Sequence, residues 1–433
     1  MRRVLWTLGL GLFATTCAWG QADPVPTTRP GQQSGAPLAA DPPQAGGGLS
    51  LACDSTYCEG SGAAWQGRVT ADYLIWWLRR GPAAVPLVTT GPVVTGDPIT
   101  SSGPVGNPGT VPLFGDSGLD YGTLSGSRCT FDFGLPAGGP GVQVSGFVLE
   151  RGAVGLSAAS DAGGSPILAR PIFDVLDQVS SAALVSYPDA LAGGIAVASR
   201  SRLWGLESSL TGPSWGDERR HARLLAGVRY LDLLESLDIA QRSTVLLPDS
   251  GFFNGFVLNS GDTLVLGDAF RTRNQFYGAQ LGVEGEWGAG RWVVAGQAKV
   301  ALGAVHEVVE VQGSSALIAA GAPGIGDVAR GGVLALDTNI GRSREDRFAV
   351  LPEISVKAGY RVTSRLMATV GYTFLYLSDV VRPGSQIDPG VNVGHAPSSE
   401  AFGLFPDPRR PAPLFNHSQF WAQGVSLGLE LHF

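Results

Sequence analysis

A chain of 433 residues with only 15% charged side chains and 62 glycines is poor in charge and rich in glycine beside ordinary soluble domains, where charged residues make up roughly 25%. Its formal net charge of -7, with arginines scattered rather than clustered, excludes a nucleic-acid footprint. Beyond the N-terminal segment no apolar run reaches the length of a membrane-crossing helix, which excludes a helical inner-membrane protein and leaves strands as the candidate membrane element.

In chain order, Arg2 and Arg3 precede an apolar stretch that ends in the small residues Ala18 and Gly20, the pattern of a cleavable secretory signal over residues 1–20. Ala14, Thr15 and Thr16 make a poor lipobox before Cys17, so lipid anchoring is the weaker reading. Residues 21–64 are rich in Pro, Gly and Ala. Such a segment buries too little apolar surface to offset its ordering entropy and is expected to be a flexible periplasmic arm. It carries Cys53 and Cys58 in CDSTYC, with no histidine nearby to complete a zinc site. An oxidising periplasm permits a disulfide between them, free thiols being the alternative. Cys129 stands alone.

From residue 65 to 433 the chain alternates apolar and polar residues in period-two stretches, roughly 66–78, 127–135, 141–149, 196–210, 220–234, 272–287, 291–311, 348–362, 365–377 and 421–433. Long links (79–126, 150–195, 237–271, 312–347 and 378–420) take turns with short ones at PAGGP, TGPSWGDE, GAG and TS. Outer-membrane barrels show that asymmetry, with short periplasmic turns and long extracellular loops. The expected fold is an all-β, up-and-down antiparallel transmembrane β-barrel of about ten strands, or twelve if FVLNSGDTLVL adds a membrane hairpin. Both termini then lie in the periplasm.

The faces carry the argument further. Val350, Ile354, Val356, Ala358 and Tyr360 alternate with Leu351, Glu353, Ser355, Lys357, Gly359 and Arg361, and the charged side is expected inward. On that phasing the lumen receives Arg68, Arg128, Arg223, Arg229, Lys299, Lys357 and Arg361 against Asp72, Asp132, Glu207, Glu284, Glu286, Glu353 and Glu430. Such a balance predicts weak ion selectivity or cross-lumen pairs that close the bore, Glu353 with Lys357 being one inward pair to test. Trp65, Trp77, Trp287, Trp292, Tyr376 and Trp421 recur near strand ends, where interfacial girdles sit. The last strand ends on Phe433, and a terminal aromatic is the expected signal to the barrel-assembly machinery.

Patterns that look catalytic have plainer readings. GPSWG at 212–216 matches the nucleophile elbow of serine hydrolases, which needs a strand, a turn and a helix, but it falls in a short link between strands. His221, His306, His395, His417 and His432 are widely spaced, with no metal-ligand pair at hairpin distance. His306 beside Glu307 is expected on a solvated wall or rim, and the acceptor-like NHS at Asn416 is a frequent chance match. No catalytic residue, metal or cofactor is expected. RPGSQIDPGVN, residues 382–392, reads as a fixed turn in which Arg382 and Asp388 serve either a constriction or binding loop or a rigid lid.

Taken together, DYLIWWLRRGPAAVPLVTTG, LLAGVRYLDLLESLDI, FRTRNQFYGAQLGVEGEW, VGYTFLYLSDVVRPGSQIDPGVN and FWAQGVSLGLELHF resemble the putative beta-barrel porin-7 family. The resemblance runs from about residue 69 to 433 and departs locally between Cys129 and Gly134. It implies an outer-membrane barrel with a porin-like role and supplies no substrate or catalytic residue. The expected function is a passive channel for small solutes. A structural or surface-interaction barrel with a plugged lumen is the alternative, because barrels of about eight strands are filled by side chains and open channels are typical of about sixteen. An enzyme is not expected. Expected partners are outer-membrane lipids, the assembly machinery and possible small solutes, with no nucleic acid.

Overall fold

The computed structural model describes residues 66–433 apart from 84, 94–102, 136–138, 218 and 323. The signal, the arm, Trp65, Cys53 and Cys58 lie outside the described residues. Ten strands form the wall: β1 (Gln66–Leu78), β2 (Thr123–Gly134), β3 (Gly141–Leu149), β4 (Leu191–Thr211), β5 (Arg220–Val245), β6 (Thr263–Ala289), β7 (Trp292–Ile318), β8 (Gly341–Arg361), β9 (Leu366–Val381) and β10 (His417–His432). Each pairs antiparallel with the next. The ring closes where β10 meets β1, from Arg68↔His432 to Leu78↔Ala422. FVLNSGDTLVL adds no membrane hairpin: Phe256–Val257 folds back on Phe252–Phe253 in a small external turn, and Thr263 already begins β6.

Short turns make one end of the barrel. Between β6 and β7, Ala289 pairs with Trp292, and Gly290 holds φ +62°, a conformation that glycine adopts without a side-chain penalty. GPSWG lies in the β4–β5 turn, where Trp215–Gly216 pairs back onto β5 and no helix follows.

The outward face fixes the height of the membrane. Leu281 is 70% exposed, Phe348 69%, Leu210 67% and Val228 62%, a contiguous apolar belt that has no place on a protein surrounded by water. At the short-turn end Trp292 packs on Tyr360 and Phe133 on Phe433, with Trp287 exposed beside them. At the other edge Trp204, Tyr230 and Tyr277 form a row with ring centroids 5.0 and 4.9 Å apart, and Tyr376 stands opposite Trp421 across β9 and β10. Beyond that row the outward positions turn polar: Arg200, Arg271 and Arg273 face out, and His306 bonds Asp346. Cys129 is a free thiol on the outward face of β2.

Strands β5, β6 and β7 are 26, 27 and 27 residues long, whereas about 9–11 residues cross a bilayer. Their excess stands above the belt and carries the long loops. There Gly152–Ala159 continues the wall beside β4. A second sheet is built from Leu168–Asp174, Val179–Ser186, Val88–Thr90, Val111–Phe114 and Gly390–Val391. It packs into an apolar cluster with the upper wall through Leu168, Ile172, Phe270, Leu334 and Val391.

The ladder of the wall is interrupted between β8 and β9. Pairing of β8 with β9 stops at Glu353↔Leu375, while β8 stays paired with β7 up to Val311↔Gly341. Pro352 stands at the break and has no N–H to donate to a ladder; above it Val350 N–H reaches Ser378 Oγ at 2.9 Å and the Arg347 side chain reaches Asp379 at 2.8 Å, with no backbone ladder there between the described residues of the two strands.

Candidate functional site: the barrel lumen

Alternation along each strand turns one side chain in two inward, and a ring of ten strands brings opposite walls within contact. Nearest the short turns, Arg68 of β1 lies 2.9 Å from both Asp132 of β2 and Glu284 of β6. Arg223 of β5 pairs with the same two carboxylates, and the Gln143 amide donates to Glu284 at 3.2 Å. Glu430 accepts from Thr70 at 3.2 Å and pairs with His432 at 2.9 Å. Lys357 pairs with Asp72 at 3.4 Å. One level up, Glu353 of β8 binds Arg229 of β5 and lies 3.4 Å from Lys299 of β7, which reaches Glu207 of β4 at 2.5 Å. A polar cavity of about 100 Å³ remains among these groups.

Above the charges lies an apolar layer. Leu74, Trp76, Leu203, Leu233, Phe276, Leu351, Leu375 and Phe420 are all 0% exposed and belong to one cluster that crosses the lumen. Trp76 and Phe147 contact at 5.4 Å between centroids, and the Arg128 guanidinium lies over both rings at 5.4 and 5.6 Å, joining the charged layer to the apolar one. The bulk of Trp76 and Asp72 explains the small residues on the inner face of β10. A Cβ on Gly424 would collide with the β1 backbone at Ile75 and Trp76, and one on Gly428 with the Asp72 carboxylate.

The loops are fastened above this layer by buried polar groups. Arg382 donates to both oxygens of Glu235 at 2.8 and 2.7 Å and to the carbonyls of Arg79 and Arg80 at 3.1 and 2.7 Å. Asn274 exchanges two hydrogen bonds with the backbone of Val381. Asp268 binds Arg170 at 2.5 Å and accepts from the N–H groups of Val333, Leu334 and Ala335. Asp388 fixes the far side of the 382–392 turn through Arg410 at 2.5 Å and the N–H groups of Gly390 and Ala412. Outside these fastenings a cavity of about 870 Å³ opens beside Leu184, Gln241, Leu266, Val333 and Val391.

The structure therefore brings together Arg68, Asp72, Arg128, Asp132, Glu207, Arg223, Arg229, Glu284, Glu286, Lys299, Glu353, Lys357 and Glu430. Two particulars differ from the sequence reading. Arg361 shares their parity but stands exposed at the short-turn rim, because it is the last ladder residue of β8. Glu353 and Lys357 are not each other's partners: four residues apart on one strand, each reaches a different wall. Arg382 and Asp388 are both paired with protein groups, which fastens the 382–392 turn at its two ends. Glu235, Asp268, Asn274 and Arg170 went unnoticed in the sequence. The period-two series Arg229, Leu231, Leu233, Glu235, Leu237 runs past the lipid belt and would have indicated Glu235.

A closed antiparallel barrel with a lipid-facing apolar belt, aromatic rims and a charged interior is a transmembrane barrel of the outer-membrane class. The chain belongs to the family described as Putative beta barrel porin-7 (BBP7), whose model matches residues 69–433. The outer membrane is its location, so the short turns are periplasmic and the long loops extracellular. Among curated proteins none matches the chain. Among solved structures it is similar to the outer membrane protease OmpT of Escherichia coli, with 8% identity, 85% of this chain and 96% of that chain covered, and a TM-score of 0.35. It is also similar to the outer membrane channel DcaP of Acinetobacter baumannii, at 9% identity, 86% and 96% coverage and a TM-score of 0.18. A Pseudomonas aeruginosa FadL homologue is similar at 7% identity, 85% and 90% coverage and a TM-score of 0.21.

Proposed function

We propose that this member of the porin family is a closed barrel whose work is done by the ordered roof it holds outside the membrane, with no steady passage through its lumen. The observation that carries this reading is the apolar layer of Leu74, Trp76, Leu203, Phe276, Leu375 and Phe420, fully buried across the bore. Water and ions do not cross a packed apolar layer, because each would shed its hydration without a replacement partner. The proposal includes no enzymatic step, and it takes outer-membrane lipids and the assembly machinery as the partners of the belt and of the strand ending in Phe433. Planar-bilayer recording tests it. The folded protein should add no steady conductance, and a stable conductance at every insertion would overturn it.

A porin-like passive channel for small solutes is the second reading, favoured by the family and by the polar cavity among Arg68, Asp72, Glu284 and Lys357. It requires the apolar layer to open. Its signature would be a small conductance with little ion preference, since the lining charges are already paired with opposite sign.

A further inference from the structure

At the break in the wall, β7, β9 and β10 each turn one metal-ligating side chain toward a common point. We propose that Glu307, Asp379 and His417 form a binding site for one divalent transition-metal ion of the zinc type, on the extracellular side of the apolar layer. His417 Nδ1 lies 3.1 Å from a Glu307 carboxylate oxygen and 3.2 Å from an Asp379 oxygen, and the three ligand atoms lie within 4.8 Å of one another. A tetrahedral ion with bonds of about 2.0 Å holds its ligand atoms about 3.3 Å apart, so two edges of such a site are already set.

The second observation is the state of Glu307. Its side chain is 0% exposed, yet neither carboxylate oxygen takes a hydrogen bond, and neither does His417 Nδ1. The other buried acids of the upper barrel are filled with donors: Glu235 by the Arg382 fork, Asp268 by Arg170 and three backbone N–H groups. A buried carboxylate without donors is costly, and a cation is the partner that its position provides for. Arg347 does not supply that partner, since it binds the outer oxygen of Asp379 at 2.8 Å and leaves the inner one toward His417. His417 Nε2 accepts from Arg347 Nη1 at 3.3 Å and lies 3.6 Å from Glu345; a Nδ1-bound imidazole carries its proton on Nε2, so binding of the ion turns this nitrogen from Arg347 to Glu345, which accepts that proton. An imidazole among the ligands favours zinc, cobalt, nickel or copper over calcium or magnesium, which take oxygen ligands. Three protein ligands leave a fourth position for water or another donor. Bound there, the ion ties β7, β9 and β10 together where the backbone ladder between β8 and β9 has ended.

The test uses the full chain, folded in detergent and stripped of metal, in a Cys17→Ser, Cys53→Ser, Cys58→Ser, Cys129→Ser background so that no thiolate contributes. Cobalt(II) is titrated and its visible absorption followed, then displaced with zinc(II). The expected result is one equivalent of cobalt with tetrahedral absorption. Glu307→Gln and His417→Asn should each weaken binding at least about tenfold and Glu345→Gln about 10-fold, while His306→Asn leaves it unchanged. Folding of each variant is checked by the mobility difference between unheated and heated samples, and near-isosteric Glu307→Gln keeps the test valid if His417→Asn does not fold. Binding of equal strength in Glu307→Gln and the parent would overturn the site. Failure of the parent to take up an equivalent would also overturn it and leave a His417–carboxylate ion pair.

Discussion

Arg382 offers the sharpest test of the closed-barrel reading, because it fastens the near end of the 382–392 turn to the wall while Asp388 holds the far side. Its side chain is 1% exposed and that of Glu235 0%, and its guanidinium serves two carboxylate oxygens and the carbonyls of Arg79 and Arg80. Arg382→Ala leaves Glu235 charged, buried and unpaired. Breaking a buried pair from one side costs about 3–5 kcal/mol. At roughly 1.4 kcal/mol per tenfold change, the opening equilibrium of the roof should rise by about two to three and a half powers of ten. The belt and the lower charged layers do not involve Arg382, so the barrel itself should persist. Limited proteolysis of the folded protein with a non-specific protease, read by mass spectrometry, should show much faster cleavage in the 382–416 segment while β1 to β9 stay protected. Pairing Arg382→Met with Glu235→Leu removes both charges and should recover much of the protection, since well-packed apolar replacements of a buried pair are often neutral or better. Unchanged protection in Arg382→Ala, or a double variant as open as the single one, would refute the reasoning.

Further outcomes follow from the same geometry. Leu429→Arg places a charge at a lipid-facing position that is 56% exposed, at a cost of about 2–4 kcal/mol near the midplane. Assembly, measured as the heat-modifiable fraction on gels, should fall far more than for the inward Glu430→Gln; equal losses would mean the faces are misassigned. Deleting Phe433 removes its contact with Phe133 and two backbone bonds to Gly67, and should reduce the folded yield in cells while leaving expression unchanged. Asp268→Asn strands Arg170, which is 0% exposed; a loss of about 3 kcal/mol in the stability of the outer roof should appear as lost amide protection at Val333, Leu334 and Ala335. Replacing Asp72 and Lys357 by serine empties space only below the apolar layer, so planar bilayers should remain silent, and conductance from that variant would place the barrier among the charges.

How much of this was legible in the sequence depends on where the membrane is. The ten strands, their alternating links and the inward charges could be read within the belt, because there lipid on one side and a polar lumen on the other enforce a strict period of two. β1 and β3 show this best, with bounds that coincide with their alternation. Above the belt that contrast ends. β5 runs on from 234 to Val245 and β6 begins at Thr263, yet Leu237 and Ile239 face a packed roof while Asp238 and Arg271 face polar surroundings, so the stretch reads as a loop. Pairings across the lumen were not legible at all. Arg229 with Glu353 and Arg382 with Glu235 are separated by 124 and 147 residues, and only the closure of the ring sets them opposite one another. The same holds for Glu307 and His417, because a search for ligands along one strand cannot find a set contributed by three.

The narrowness of the ring and the balance of its charges have one physical origin. In a wide barrel an inward charge can keep its own water, and a ring of one sign is then tolerable. Here Arg68 touches carboxylates from β2 and β6, and Glu353 of β8 touches Arg229 of β5 and Lys299 of β7, so each charge has exchanged water for a partner on another strand. Charges removed from water persist only when paired and hydrogen-bonded, which requires near neutrality level by level as well as over the whole lumen. Once that condition is met, the groups able to attract a permeating ion are already occupied by one another. The apolar layer above them adds a second barrier of a different kind, in which no group can replace an ion's hydration. To conduct, such a barrel would have to break a paired lattice and part a packed layer together, and that joint requirement is the physical ground on which the closed-lumen proposal rests.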